Sequence, residues 1–327
     1  MHNLDRHIAS KKYPNLYCLL ISKRSELIYE KYMEPHNKDS LFDIRSSFKS
    51  ILSLLIGVAI DKGYIESIDD KLIKYFCKTE YNVLFTGKKN DIRIRDLLSM
   101  KSGLICEEFF SSNDCETAME ESQNWIKFCI EQPLVGTPGS KWSYNTCNAM
   151  IAGALIECAT SRSLADFASK HFFEPLNITD YRWTQDPSGN YMSGGSFFMK
   201  GKDMLKIGHL ILQNGHFSAK QIVSKGYTDI ATSCITKIPS FSFVNLSGLK
   251  SLKTRQAYYG FAWYTEDVKV GKRTFTCQFT SGNGGQYILV VKELELVVVC
   301  TQGNFDSRIA KQFFAILIKH IIPNSLH

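Results

Sequence analysis

A serine and a lysine three residues apart stand at the start of a strongly apolar run. Ser46 and Lys49 begin and end the tetrapeptide 46–49, and residues 51–60 after it are mostly aliphatic. In a helix, positions three residues apart lie on one face, about one turn apart. A serine hydroxyl becomes a good nucleophile when a neighbouring base takes its proton, and a neutral lysine amine is such a base. The pair is therefore a candidate activated nucleophile, and the positive end of the helix would favour its alkoxide.

The same spacing of serine and lysine occurs again at Ser247 and Lys250. A motif this short also arises by chance, so its surroundings decide between the two copies. The second copy contains Gly248 and lies in a polar, basic stretch with no apolar helix behind it. We interpret 247–250 as a loop and 46–49 as the site.

Three further segments could complete a site for acyl transfer. Tyr144 precedes a predicted helix, where its hydroxyl could share a proton with an amine, although a core tyrosine is the plainer interpretation. Residues 280–286 lie between predicted strands and contain glycines that could leave an N–H free for an oxyanion. A flexible hairpin turn fits that segment equally well. The least specific segment is 193–196, another loop of small residues.

Composition is that of a globular protein and argues against several functions. The chain has 327 residues, is 44% hydrophobic and carries a net charge of +7. Its lysines are scattered, so we expect no nucleic-acid partner. The run 51–60 is too short to cross a bilayer, so we expect no membrane partner. Residues 1–13 are polar and 16–21 are too short for a signal-peptide core, which predicts a cytoplasmic protein.

Ten cysteines raise the question of disulfides or a metal site. They form no C-x-x-C pair and no cluster with histidine, and Cys18, Cys158 and Cys300 lie inside apolar runs. We therefore expect reduced thiols, no metal site and no cofactor.

Hydrophobic patterns predict strands at both ends of the chain and helices between them. We expect an α+β fold in which an antiparallel sheet is built from both termini, flanked by helices, and carries an inserted, mainly helical lobe. Residues 1–75 and 195–327 would form the sheet lobe and 76–194 the helical lobe, with the site between them. The predicted strands are 16–22, 26–32, 258–264, 274–279, 286–291 and 294–301, and the predicted helices are 47–63, 92–100, 125–130, 148–159, 164–172, 203–212 and 307–322.

In this order and spacing, the segments resemble the penicillin-recognising serine hydrolase superfamily. The most similar branch is the class C β-lactamase-like group of DD-peptidases, esterases and aminohexanoate-dimer hydrolases. The resemblance covers nearly the whole chain and includes 94–104, 193–208 and 284–286 followed by 296–299. It implies a β-lactamase/transpeptidase-like fold and a small ester, amide or short peptide-like substrate.

The resemblance also implies a role for each candidate residue. Ser46 would be the acylated nucleophile and Lys49 its proton acceptor. Tyr144 would match the tyrosine of the Y-x-N element and act as general base or as the acid for the leaving group. The backbone N–H groups of Ser46 and Asn283 would form the oxyanion hole. The substrate-binding and oxyanion residues would be Ser46, Thr280, Ser281, Gly282, Asn283 and Gly284.

Two positions depart from the family pattern. Thr146 stands where the Y-x-N element has asparagine, and Thr280 stands where the K-T-G motif has lysine. That lysine helps to hold a substrate carboxylate, so its loss favours esters or amides over β-lactams. We therefore predict a serine hydrolase of the esterase or amidase type. The alternatives are an acyltransferase with the same acyl-enzyme, a true β-lactamase or peptidase, and a catalytically idle binding protein.

Overall fold

Most strands of the fold come from the two ends of the chain, and most helices come from its middle. The computed structural model describes residues 2–9, 13–106, 108, 114–249 and 256–326. Its strands are β1 Leu16–Lys23, β2 Glu26–Tyr32, β3 Leu41–Asp43, β4 Tyr181–Trp183, β5 Phe197–Lys200, β6 His216–Phe217, β7 Lys220–Gln221, β8 Thr236–Lys237, β9 Tyr258–Tyr259, β10 Tyr264–Val270, β11 Arg273–Phe279, β12 Tyr287–Val291 and β13 Leu296–Gln302.

The helices connect the strands, and several of them pack against the main sheet. They are α1 His2–Ala9, α2 Phe48–Asp61, α3 Ile73–Phe76, α4 Ile94–Leu98, α5 Cys115–Glu120, α6 Trp125–Glu131, α7 Thr146–Thr160, α8 Leu164–Ala168, α9 Gly201–Leu212, α10 Lys225–Ala231, α11 Phe243–Leu246, α12 Ser307–Lys311, α13 Phe313–Ile316 and α14 Ile322–Asn324.

The main sheet joins the two ends of the chain. Its eight strands run in the order β2-β1-β13-β12-β11-β10-β9-β8, and its strand pairs are antiparallel. The first strand of the chain pairs with the last, so that Leu19 faces Cys300. Two small sheets, β3-β5-β4 and β6-β7, lie outside it. The predicted α+β fold with a sheet built from both termini is confirmed.

Both faces of the sheet are buried under apolar cores. Successive side chains of a strand point to opposite faces, so one strand contributes to both cores. In β13, Val297 and Val299 belong to one apolar core, whereas Val298 and Cys300 belong to the other. Helix α9 packs against β12 and β13 on the first face. The helical C-terminal segment and α1 contribute to the second core.

Helix α2 lies in the first core, as its all-round apolar sequence predicts. Its residues from Phe48 to Ala59 are buried, and it packs against α7 and α10. A Cβ at Gly57 would lie 2.5 Å from the ring of Tyr227, so the small residue allows this close packing. The core thereby fixes the helix whose first turn carries Lys49.

Three local predictions were wrong in detail. The predicted strand 258–264 is split into β9 and β10, because the intervening N–H groups bond elsewhere: Phe261 donates to Ala231 O and Ala262 to Leu98 O, each at 2.9 Å. The predicted helix 92–100 is shortened to α4. The predicted helix 307–322 is helical but contains a π-helical turn at Leu317–Ile321.

The expectation that all cysteines are reduced was also wrong. Cys106 and Cys115 form a disulfide, although they are far from any C-x-x-C spacing. Among the described residues, none of the helices has both the length and the apolar character needed to cross a membrane.

Candidate active site

Ser46 occupies a 3₁₀ turn, Arg45–Ser47, immediately before α2. The residue before it, Arg45, has a φ of +51°, a left-handed conformation that is uncommon for a residue with a side chain. The turn is held to the sheet by Ser47, whose hydroxyl donates to the carbonyl of Gln286 at 2.8 Å. Thr280 in turn donates its hydroxyl to Ser47 Oγ at 3.1 Å. Burial of these contacts fixes the turn that presents Ser46.

Lys49 lies one turn further along and is almost completely buried, with 2% of its surface exposed. Its Nζ donates to Ser46 Oγ at 3.0 Å and to the carbonyl of Gly194 at 2.7 Å. The predicted small-residue loop 193–196 therefore supplies an acceptor that orients the amine. The absence of a side chain at Gly194 matters, because a Cβ there would lie 2.5 Å from Thr146 Cγ2 and 3.5 Å from Lys49 Nζ.

Tyr144 completes the group around Ser46. Its hydroxyl is hydrogen-bonded to Ser46, and Lys49 Nζ lies 5.1 Å from the centre of its ring. Burial raises the pKa of Tyr144 well above its ordinary value, and the charge of Glu108 raises it further. The phenol is therefore protonated at neutral pH, which suits it to donate a proton rather than to remove one.

The predicted oxyanion residues lie beside the nucleophile's turn. A Cβ at Gly282 would lie 2.3 Å from the carbonyl oxygen of Ile44 and 3.1 Å from Arg45 Cβ, so the connection between β11 and β12 touches the segment leading to Ser46. Within the described part of the chain, the N–H groups of Ser46 and Asn283 have no hydrogen-bond acceptor. Two free N–H donors are what an oxyanion hole requires.

The other predicted substrate-binding residues have mainly structural contacts. Thr280 is fully buried, and its hydroxyl also accepts from the N–H of Ile288 at 3.0 Å. The side chain of Ser281 is hydrogen-bonded to Tyr287. Gly284 has a φ of +86°, which glycine adopts without strain. Of this group, Asn283 is the exposed member.

Two carboxylates that contact Thr146 were not foreseen from the sequence. Glu108 accepts a hydrogen bond from the backbone N–H of Thr146, the first residue of α7, and its charge interacts with Lys49. Glu116 accepts from Thr146 Oγ1 at 3.4 Å. Burial raises the pKa of Glu108, and Glu116 raises it too, whereas Lys49 and Thr146 oppose the shift. No sequence pattern marked these residues, because both lie on irregular or short elements.

The second serine–lysine pair does not form a comparable site among the described residues. Ser247 is buried after α11 and donates its hydroxyl to the carbonyl of Val244 at 2.6 Å. Lys250 lies outside the described residues. The structure thus brings Ser46, Lys49 and Tyr144 together and gives Ser247 a structural contact.

Adding one methyl group beside Lys49 should test how strongly its position matters. We expect Gly194→Ala to slow covalent labelling of Ser46 by a fluorophosphonate by on the order of 10-fold or more, since small displacements of reacting groups cost that much. Labelling rates and thermal unfolding of both proteins provide the measurement. The matched control is Gly226→Ala, because a Cβ there meets no atom within 4 Å. Equal labelling rates for Gly194→Ala and the wild type would contradict the importance of this contact.

Comparison of the sequence with known proteins identifies related chains. The sequence model of the family described as Beta-lactamase matches residues 3–308. The ML-236A carboxylate methylbutanoyltransferase mlcH of Penicillium citrinum is 32% identical over 106 residues, which cover 30% of this chain and 24% of that protein. Protein flp of Staphylococcus aureus is 23% identical over 163 residues, 47% of this chain and 32% of that protein. The aligned parts span less than a third of either relative's own length.

Solved structures share the fold over nearly the whole chain. A class C β-lactamase from Rhodobacter sphaeroides superposes with a TM-score of 0.70 at 14% identity and covers 98% of both chains. The octameric penicillin-binding protein homologue from Pyrococcus abyssi gives 0.72 at 19% identity, with 97% of this chain and 77% of that chain covered. EstCE1, a hydrolase with promiscuous acyltransferase activity, gives 0.72 at 13% identity, with coverages of 94% and 96%.

Proposed function

Because the chain belongs to the β-lactamase family, we propose that it is a serine hydrolase that cleaves esters or amides through an acyl-enzyme on Ser46. The observation that carries the proposal is the distance of 3.0 Å between Lys49 Nζ and Ser46 Oγ, with the Tyr144 hydroxyl bonded to the same serine. A nucleophile within hydrogen-bond reach of a base that a third group orients is the arrangement that covalent catalysis needs. Here Gly194 O orients the base.

In the acylation step, Lys49 takes the proton of Ser46 while one of its N–H groups remains bonded to Gly194 O. The oxygen of Ser46 attacks the substrate carbonyl carbon, and the N–H groups of Ser46 and Asn283 stabilise the negative oxygen that forms. Tyr144 donates its proton to the leaving alcohol or amine, and Lys49 returns a proton to Tyr144. Water, activated by the same groups, then releases the acyl group and restores Ser46.

Acyl transfer to an alcohol or amine in place of water is the second candidate function. It gains support from mlcH, whose name describes a methylbutanoyltransferase, and from EstCE1, described as a hydrolase with acyltransferase activity. The two functions differ only in which molecule reaches the acyl-enzyme. Incubation with a short-chain ester, with and without an added alcohol or amine, separates them by the products that mass spectrometry detects. Free acid as the main product in the presence of the acceptor supports hydrolysis.

The charges near the site predict selectivity against substrates with a carboxylate beside the scissile bond. Thr280 supplies no cation, and Arg45 is paired with Asp43 at 2.8 Å. Glu108 adds a carboxylate close to Lys49. A lost charge-assisted hydrogen bond is worth roughly 1.5–3 kcal/mol, or about one to two decades in rate. We therefore expect neutral short-chain esters to be preferred over matched carboxylate-bearing esters and over nitrocefin.

Glu108→Gln tests this selectivity better than Thr280→Lys, because Thr280 is fully buried and its hydroxyl contacts Ser47 and Ile288. The glutamine keeps an acceptor for the Thr146 N–H and removes the charge. We expect kcat/KM for the carboxylate-bearing ester to rise relative to the neutral ester. The control is Glu131→Gln, an exposed carboxylate on α6. Unchanged discrimination in Glu108→Gln, or nitrocefin turned over as fast as the neutral ester, would contradict the electrostatic argument.

A further inference from the structure

Sulfur atoms from four segments of the chain meet near the start of α7. Cys106 and Cys115 are joined by a disulfide, and Cys147 Sγ lies 3.4 Å from Cys106 Sγ. The sulfur atoms of these three residues all lie within 4.8 Å of one another. Cys129, fully buried on α6, is hydrogen-bonded to Cys147 and lies 3.4 Å from Met119 Sδ. We call Cys106, Cys115 and Cys147 the thiol cluster.

The thiol cluster is connected to the residues around Lys49. Cys147 directly follows Thr146, whose N–H donates to Glu108 and whose hydroxyl donates to Glu116. Cys115 is the first residue of α5 and directly precedes Glu116. The disulfide therefore links residues 106 and 115, on either side of Glu108 in the sequence. Its second cysteine is the sequence neighbour of Glu116, the second carboxylate.

We propose that the thiol cluster is a site of thiol–disulfide exchange, in which Cys147 attacks the Cys106–Cys115 bond at Cys106. Exchange proceeds by attack of a thiolate on one sulfur of a disulfide, and Cys147 lies in contact with that sulfur. A bond forms between Cys147 Sγ and Cys106 Sγ, and the Cys106–Cys115 bond breaks. The electron pair leaves on Cys115 Sγ, which takes up the proton that Cys147 gave up. The number of disulfides is unchanged, so no oxidant or reductant is consumed.

Two features of the structure favour attack by Cys147 at this bond. Cys106 and Cys147 are both buried, at 5% and 0% exposure, so the exchange is protected from competing thiols in solution. Cys115 is only partly buried, which suits it to be the thiol that is released.

Exchange would release α5 from its covalent link while Cys106 becomes joined to α7. Glu116 would then lose the constraint that places it beside Thr146, whereas Glu108 would remain close to α7. A change in activity on exchange rests on the proposed function, but the exchange itself does not. Its test therefore measures the linkages alone.

Disulfide mapping in three cysteine variants tests the proposal. Folded protein is equilibrated in a glutathione redox buffer, quenched with acid, alkylated and digested without reductant, and the linked peptides are identified by mass spectrometry. We expect Cys106–Cys115 and a smaller amount of Cys106–Cys147 in the wild type. Cys115→Ser should form Cys106–Cys147, and Cys147→Ser should lose that linkage completely. Cys158→Ser, which removes a thiol on the same helix α7, should match the wild type.

Two results would overturn the proposal. One is the absence of a Cys106–Cys147 linkage in Cys115→Ser under conditions in which the wild type forms Cys106–Cys115, with thermal unfolding showing that the variant is folded. The other is stoichiometric binding of Co²⁺ by the reduced wild type, with thiolate-to-metal charge-transfer absorption that Cys147→Ser abolishes and with resistance to oxidised glutathione. That result would make the thiol cluster a metal site.

Discussion

Ser46→Ala is expected to abolish covalent labelling by a fluorophosphonate and to reduce ester hydrolysis by on the order of 10⁶-fold. The reagent reacts with a serine whose hydroxyl is activated by a neighbouring base, and Ser46 has Lys49 Nζ at 3.0 Å. The predicted oxyanion donors should also stabilise the phosphonyl oxygen. Intact-mass measurement should show one label on the wild type, and peptide mapping should place it on Ser46.

The control for this result is the serine of the second serine–lysine pair. Ser247→Ala removes the serine of the second serine–lysine pair, whose hydroxyl is held by Val244 O. That variant should be labelled at the rate of the wild type. A label that persists in Ser46→Ala, or that maps to Ser247, would exclude the assigned nucleophile, and it would leave the thiol-exchange proposal untouched.

The features that the sequence predicted correctly depend on local patterns. The strand β13 and the all-round burial of α2 follow from their continuous apolar runs. The approach of Lys49 to Ser46 follows from the helical repeat. A sheet built from both ends of the chain was predicted, and the structure builds it by pairing β1 with β13.

The features that the sequence did not predict depend on contacts between distant segments. Gly194 O accepts from Lys49 across 145 residues, and Cys147 meets Cys106 across 41 residues. Spacing in the sequence carries no signal for such pairs, so the cysteines were taken as separate buried thiols. The break between β9 and β10 has the same origin, since its N–H groups bond to α10 and α4.

The raised pKa of Tyr144 distinguishes its role in proton transfer from that of Lys49, which the sequence alone did not do. Because burial and Glu108 hold the pKa of Tyr144 well above its ordinary value, forming a tyrosinate at neutral pH is unfavourable. In the proposed mechanism, Lys49 is therefore the base for attack and Tyr144 the acid for departure. This division predicts different responses to the leaving group in the two variants.

Lys49→Ala and Tyr144→Phe are each expected to reduce turnover of an alkyl ester or amide by about 10²–10⁴-fold. For a p-nitrophenyl ester, whose leaving group departs without a proton, Tyr144→Phe should cost much less, whereas Lys49→Ala should cost nearly the same. The double variant should be close to the poorer single variant, because both residues handle protons at one serine. Steady-state kinetics on esters matched in the acyl group measure all three effects.

The controls for this last experiment come from the far end of α2. Lys62→Ala and Tyr64→Phe remove the same chemical groups just beyond its last residue, Asp61, and should leave kcat/KM unchanged. Thermal unfolding of each variant separates lost catalysis from lost folding, which matters because Lys49 is buried. If Tyr144→Phe were equally harmful for both leaving groups while Lys49→Ala had little effect, Tyr144 would be the base. The raised pKa of Tyr144 would then not describe the working enzyme, and the order of proton transfers proposed above would have to be reversed.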